Sequence, residues 1–98
     1  MNPEVGFHPA ARQELRESAD FYDLEKPGLG GEFLDEVERV VGQIVEFPES
    51  APVALGEVRR RQISRFPYSV IYSVRDDAVF VSAIAHNSRR PFYWQHRI

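Results

Sequence analysis

The spacing of apolar residues changes once along the chain, and this change constrains the fold more than any other feature. Up to about residue 47, apolar residues recur every three or four positions, as in an amphipathic helix. From Val58 onward they alternate with their neighbours, as in a β-strand. This order predicts an α+β fold, in which helices and sheet must bury their apolar sides against each other. The 98 residues suffice for a single domain, 1–98, with one modest core.

The helical part is predicted to be a hairpin over residues 9–47. Lys26-Pro27-Gly28 separates its two helices, because proline and glycine both interrupt a helix. The apolar stripes are Ala11, Leu15, Ala19 and Tyr22 in the first helix and Phe33, Val37, Val40, Val41 and Ile44 in the second. We expect a short strand over Glu4–His8 before the hairpin, and a loop over Glu49–Gly56 after it.

The second half is predicted to be a three-stranded meander over residues 57–86. Its strands are expected at Val58–Ser64, Tyr68–Arg75 and Val79–His86, and Asp76-Asp77 is expected to form a two-residue turn. Strict alternation in the last strand places Val79, Val81, Ala83 and Ala85 on one face. The predicted order is β-α-α-β-β-β, with the helical hairpin packed on a small antiparallel sheet. A basic and aromatic tail follows at residues 87–98.

Charge is distributed unevenly along the chain. Residues 1–56 carry a net charge of −8 and residues 57–98 a net charge of +5, and all eight cations of the second part are arginines. Arginine suits two-pronged contact with phosphate or carboxylate, so this part is a candidate anion-binding surface. The alternative is that these arginines only solvate an exposed sheet edge.

Several kinds of site are not expected. The chain has no cysteine, which excludes disulfides, thiolate nucleophiles and zinc ribbons. Its three histidines lack ligand spacing, so we expect neither a metal nor a cofactor. No apolar stretch approaches the roughly 18–20 residues of a membrane span, and the first residues lack the pattern of a signal peptide. We therefore expect a cytoplasmic protein with no membrane partner.

Two regions are candidates for function. The first is Arg59-Arg60-Arg61 with Arg65, where the strand period places Arg59 and Arg61 on one face and Arg60 on the other. The second is the end of the last strand and the tail, which contribute His86, Arg89, Arg90, Tyr93, Trp94 and Arg97. Cations that hold phosphate beside rings that stack on bases suit single-stranded nucleic acid.

Each tail residue also has a structural interpretation. His86 ends an alternating strand, where a histidine often serves packing alone. Tyr93 and Trp94 are equally suited to anchoring the tail on the sheet. Arg89 and Arg90 are equally suited to pairing with acids of the second helix, and such an exposed pair would stabilise the fold little.

These segments together resemble the RelE/ParE superfamily of bacterial type II toxin–antitoxin toxins. The resemblance covers nearly the whole chain. It rests on Phe7-His8-Pro9, Pro27-Gly28-Leu29-Gly30 with Phe33, Pro48-Glu49-Ser50-Ala51-Pro52, Phe66-Pro67-Tyr68-Ser69-Val70-Ile71-Tyr72, and His86 followed by Arg89-Arg90-Pro91-Phe92-Tyr93-Trp94. The fold that the resemblance implies agrees with the one predicted from the residues.

The resemblance implies two different functions. RelE-like members cut mRNA in the ribosomal A site without metal, through attack of the ribose 2′-OH on the neighbouring phosphate. That reaction needs proton-transfer groups and cations. In that branch Arg89 or Arg90 corresponds to an arginine and Tyr93 to a tyrosine that carry the chemistry, and Arg59, Arg61 and Arg65 are nearest to the basic strand residues. His86 is a further candidate for proton transfer.

ParE-like members instead poison DNA gyrase and need no nuclease site. The tail, the net acidic charge and the single lysine favour this branch, since approach to ribosomal RNA is driven by positive charge. Both branches imply an antitoxin partner whose segment folds onto the toxin. Antitoxin segments of this kind are often acidic, so the arginines are the expected receiving surface. A third possibility is an inactive relic that only binds antitoxin.

Overall fold

The computed structural model describes residues 5–98, which form two helices over one face of a five-stranded sheet. The elements in chain order are β1 (Val5–Phe7), α1 (Pro9–Glu25), α2 (Leu29–Glu46), β2 (Val53–Leu55), β3 (Val58–Gln62), β4 (Tyr68–Arg75) and β5 (Ala78–His86), followed by a short 3-10 helix (Gln95–Arg97). The predicted α+β fold is confirmed. Glu4, where we expected the first strand to begin, lies outside the described residues.

The ends of both helices follow from local chemistry. His8 caps α1, because its Nδ1 accepts a hydrogen bond from the backbone N–H of Ala10 at 3.0 Å. Pro9 suits the first turn, where its missing N–H costs nothing. α1 ends before Lys26-Pro27, and Gly28 adopts a φ of 90° that favours glycine before α2 begins. The helical hairpin is therefore as predicted.

The sheet has the strand order β1-β5-β4-β3-β2. β1 pairs with β5 in parallel, and all other neighbours are antiparallel. The meander of β3, β4 and β5 is confirmed. Asp76 and Asp77 join β4 to β5 with φ values of 50° and 63°. A two-residue turn whose twist matches that of the strands requires positive φ at both positions.

The expected loop over Glu49–Gly56 is a wrong prediction in its second half. Val53–Leu55 forms the edge strand β2, and Leu55 pairs with Val58 across the turn Gly56-Glu57. Gly56 has a φ of 56°, which glycine adopts without strain. Pro52, just before β2, has no N–H to donate, but its carbonyl accepts a hydrogen bond from the Arg60 N–H at 3.0 Å.

A β-bulge in β5 changes the sheet face on which its later side chains lie, so the prediction of strict alternation is wrong there. Tyr72 pairs with Val81 and Ile71 pairs with Ala83, which leaves Ser82 as the extra residue. Before the bulge, Val79 and Val81 face the helices. After it, Ile84 takes that face, and Ala83 and Ala85 turn to the opposite one.

The sheet consequently has a core on each face. The larger core lies under the helices and includes Phe33, Val37, Val40, Ile44, Phe66, Val70, Tyr72, Val81 and Ile84. The smaller core lies under the tail and consists of Val58, Ile71, Ala83, Ala85 and Trp94. The tail is therefore a packed third layer, and its residues are held against the sheet.

Candidate functional site

A groove of about 480 Å³ lies on the tail side of the sheet, between the tail and the edge formed by β2. Ile71 and Ala85 form its apolar floor, and Phe92 and Trp94 belong to its tail wall. Its cations are Arg60, Arg89 and Arg90, and all three side chains are exposed. An apolar floor beside exposed guanidinium groups suits a ligand with both apolar and anionic groups.

Arg60 is held in place at the groove by two neighbours. Its Nε donates to Ser69 Oγ at 3.1 Å, and its Nη2 donates to Asn87 Oδ1 at 3.0 Å. Ser69 Oγ in turn donates to the same Asn87 oxygen at 2.8 Å. A guanidinium has five N–H groups, so an oriented Arg60 retains donors for a carboxylate or phosphate.

Arg89 and Arg90 extend the positive charge onto the tail. The Arg89 guanidinium lies 3.9 Å from the centre of the Tyr93 ring, a cation–π contact. Within residues 5–98, neither arginine forms an ion pair with an acid of α2. These guanidinium groups therefore remain available for an anionic partner.

Tyr93 presents its ring to the groove, but its hydroxyl is occupied. The hydroxyl donates to Glu14 Oε2 at 2.8 Å. Burial, followed by this hydrogen bond, raises the pKa of the Tyr93 hydroxyl above its usual value. A phenol held in this way resists losing its proton, so it is poorly placed for the proton transfer expected of a nuclease tyrosine.

His86 lies where β5 enters the tail and is held by its neighbours. Its Nδ1 accepts a hydrogen bond from the Ser88 N–H at 3.0 Å and lies 2.7 Å from the Ser88 hydroxyl oxygen. Its ring packs edge-on against Tyr68, with the ring centres 5.0 Å apart. His86 lines the groove while serving this packing role.

Arg59 and Arg61 lie on the opposite face of β3, as the strand period predicts, and Arg65 lies in the loop that follows β3. Arg59 donates to the carbonyl oxygen of Ala51 at 2.7 Å. Arg61 donates to Gln43 Oε1 at 2.6 Å, which ties β3 to α2. Arg65 forms an exposed ion pair with Glu32 at 2.8 Å, and this hydrogen bond lowers the pKa of the Glu32 carboxyl. The structure therefore does not bring these three arginines to the groove.

Trp94 and Arg97 lie inside the protein rather than on its surface. Trp94 is 4% exposed in the smaller core, as in the anchoring interpretation. The Arg97 side chain is 9% exposed and forms a two-pronged ion pair with Glu14, at 2.9 and 3.1 Å. Both side chains hold the tail on the sheet, and Trp94 also contributes to the wall of the groove. Contact of either side chain with a ligand stays a prediction.

Sequence reasoning missed three residues that shape the site. Ser69 and Asn87 orient Arg60, and Glu14 holds the tail. Glu14 carried a usable signal. It stands three residues after Ala11 and one before Leu15, so an acid interrupts the apolar stripe of α1 and needs a buried partner.

Residues 5–98 contain neither a metal-binding cluster nor a membrane-spanning helix. No group of three or more histidine, aspartate or glutamate side chains is arranged to hold a metal ion there. No helix in that range is long and apolar enough to cross a membrane.

Comparison with known proteins places this architecture in a family. No curated protein matches the chain. Among solved structures, it is similar to one from the chromosomal ParDE system of P. aeruginosa, with 16% identity and a TM-score of 0.75 over 86% of this chain and 95% of that one. It is also similar to an E. coli RelE toxin mutant in complex with an antitoxin RelBc peptide, with 17% identity and a TM-score of 0.68 over 98% of this chain and 95% of that one.

The family model described as "ParE toxin of type II toxin-antitoxin system, parDE" matches residues 5–91. This range includes both helices, all five strands and the groove arginines. The chain therefore belongs to the ParE toxin family of type II toxin–antitoxin systems.

Proposed function

We propose that this chain is a ParE-like toxin that inhibits growth in the cytoplasm by acting on DNA gyrase and is neutralised by its own antitoxin. The observation that carries the proposal is the match of the ParE family model to residues 5–91. The site agrees with a binding protein better than with an RNA-cleaving enzyme. Its arginines are exposed, whereas the Tyr93 hydroxyl is committed to Glu14.

We infer that the groove receives an acidic, partly apolar segment of the antitoxin. Arg60, Arg89 and Arg90 would contact carboxylates, and Ile71 and Ala85 would contact apolar side chains. The RelE structure to which the chain is similar contains an antitoxin peptide, which supports a peptide partner for this fold. A disordered segment that folds on binding can cover a large surface of this kind.

The target is tested with two assays on the same purified protein. We expect the toxin to inhibit DNA supercoiling by gyrase, and inhibition to disappear when antitoxin is added first. In a cell-free translation reaction mapped by primer extension, we expect the message to stay intact. New cuts confined to translated message would contradict the proposal and identify a ribosome-dependent nuclease. Inactivity in both assays would contradict it in favour of an inactive relic.

The antitoxin surface is tested with two double variants, each of which removes two arginines and so changes the net charge equally. We expect Arg89→Ala with Arg90→Ala to weaken antitoxin binding and toxicity at least tenfold, or about 1.4 kcal/mol in binding. Both side chains are exposed, so folding should be retained.

The control for that variant removes two arginines far from the groove. Arg39 pairs with Glu36 on α2, and Arg75 lies over Phe80 at the hairpin end of β4. Arg39→Ala with Arg75→Ala changes the net charge equally, so a general charge effect would weaken both variants alike. Calorimetric titration at two salt concentrations makes the comparison. Equal losses would contradict the assignment of Arg89 and Arg90 to the interface.

A further inference from the structure

The carboxylate of Glu14 accepts four hydrogen bonds. Oε1 accepts from the backbone N–H of Ile84 at 3.1 Å and from Arg97 Nη1 at 2.9 Å. Oε2 accepts from the Tyr93 hydroxyl at 2.8 Å and from Arg97 Nη2 at 3.1 Å. The two oxygens offer about four acceptor positions, so this single side chain is fully used. It joins the first helix, the last strand and the tail at one point.

This point coincides with the bulge in β5. A bulge disrupts the ladder of hydrogen bonds and leaves polar backbone groups in need of partners. Glu14 accepts from the N–H of Ile84, and Arg97 Nη1 donates to the carbonyl oxygen of Ser82 at 3.2 Å. The ion pair between Glu14 and Arg97 therefore supplies partners to two backbone groups of the bulge, the Ile84 N–H and the Ser82 carbonyl.

The same carboxylate determines where the wall of the groove stands. Tyr93 is fixed by its hydroxyl, and its ring carries the Arg89 guanidinium at 3.9 Å and the Arg97 guanidinium at 5.1 Å. Trp94, between the two residues that Glu14 holds, is buried against the sheet. A change at Glu14 would thus reach Arg89 through Tyr93, although Glu14 is not among the residues that line the groove.

We propose that Glu14 is a positioning residue, which places the Arg89 guanidinium at the groove by fixing Tyr93 and Arg97. The expected loss of toxicity rests on the proposed function, because a displaced Arg89 should bind the partner less well. The effect of Glu14 on the position of Arg89 rests on the geometry alone. The negative charge of the Glu14 carboxylate is balanced by the Arg97 guanidinium, and its two oxygens accept the four hydrogen bonds described above.

The test compares Glu14→Gln with Glu25→Gln, in protein made by cell-free synthesis. Glu25 lies on the same helix, is exposed, and lines neither the groove nor the smaller cavity that Glu14 shares with Arg89, so it is a matched control. The first readout is the proton NMR shift of the Arg89 side chain, which the Tyr93 ring displaces upfield. We expect this displacement to fall by more than half in Glu14→Gln and to be unchanged in Glu25→Gln.

A second variant keeps the test decisive. Tyr93→Phe keeps the ring but removes the hydroxyl through which Glu14 fixes it, so the Arg89 displacement should fall in this variant as well. If Glu14→Gln fails to fold, Tyr93→Phe replaces it. An Arg89 displacement that is unchanged in the folded Glu14→Gln or Tyr93→Phe protein would overturn the proposal, since a purely stabilising role of Glu14 would leave it intact.

The second readout is toxicity on controlled expression in cells. We expect Glu14→Gln to raise survival at least tenfold, and Glu25→Gln to be as toxic as the parent chain. A lost NMR displacement with full toxicity would overturn the role of Glu14 in binding. A parent chain without toxicity would contradict the proposed function, while the NMR comparison still decides whether Glu14 positions Arg89.

Discussion

Replacing Phe33 by alanine is expected to lower the free energy of unfolding by about 3–5 kcal/mol. Phe33 is 0% exposed and lies at the centre of the larger core. Its ring centre is 5.4 Å from that of Tyr22, 5.2 Å from that of Phe66 and 5.0 Å from that of Tyr68. Alanine would leave a cavity among these rings, which also hold α1, α2 and β4 together.

Phe47 provides the control for this prediction. It follows the last residue of α2 and is 61% exposed, so Phe47→Ala should change the free energy of unfolding by less than about 0.5 kcal/mol. Urea denaturation followed by circular dichroism measures both variants. Equal stabilities for the two variants would show that the aromatic cluster does not form the core described here.

Replacing Gly30 by alanine is expected to cost about 3 kcal/mol, for a different reason. Gly30 lies where α2 crosses α1, and its N–H donates to Asp23 Oδ1 at 2.8 Å. An added Cβ would lie 2.8 Å from that same oxygen and closer still to the carbonyl oxygen of Ala19. The backbone of α1 cannot rotate away as a side chain would, so the two helices must separate.

The neighbouring Gly31 distinguishes crowding from a general effect of glycine. A Cβ at Gly31 meets no atom within 4 Å. Gly31→Ala should therefore raise stability by about 0.5–1 kcal/mol, since alanine favours the helix. Thermal unfolding of both variants makes the comparison. A stable Gly30→Ala protein would contradict the close packing of the two helices.

The main elements could be predicted because each carries a local signal. Lys26-Pro27-Gly28 separates the helices whatever surrounds them, and Asp76-Asp77 lies between two strands that alternate strongly. The strand period alone also predicts the sheet face of the three neighbouring arginines, and Arg60 does face away from Arg59 and Arg61.

The remaining features depend on contacts distant in sequence. β2 has three residues, too few for a clear period, and its signal was the two-residue turn at Gly56. The bulge at Ser82 inserts one residue into an otherwise regular alternation, and β5 forms it where Glu14 and Arg97 meet its backbone groups. Neither partner is close to Ser82 in the sequence.

The sequence indicates residues of the candidate site but not their arrangement. The sequence indicated the cations of the groove, but it could not separate an exposed Arg89 from a buried Arg97, since both stand in one basic tail. What separates them is the position of Glu14, 83 residues from Arg97. Charge in a tail therefore predicts a surface only where no buried acid neutralises it.

The Asp76-Asp77 turn has a practical consequence for handling this protein. The Arg97 side chain is engaged with Glu14, which also holds Tyr93, so a purification tag attached beside Arg97 would strain these contacts. Asp76-Asp77 caps the opposite end of the hairpin, since Arg75 pairs with Ala78 there while Tyr68 pairs with His86 at the tail end. Eight strand residues, or roughly 26 Å, separate the two ends. An affinity tag or fluorophore is therefore best attached at this turn.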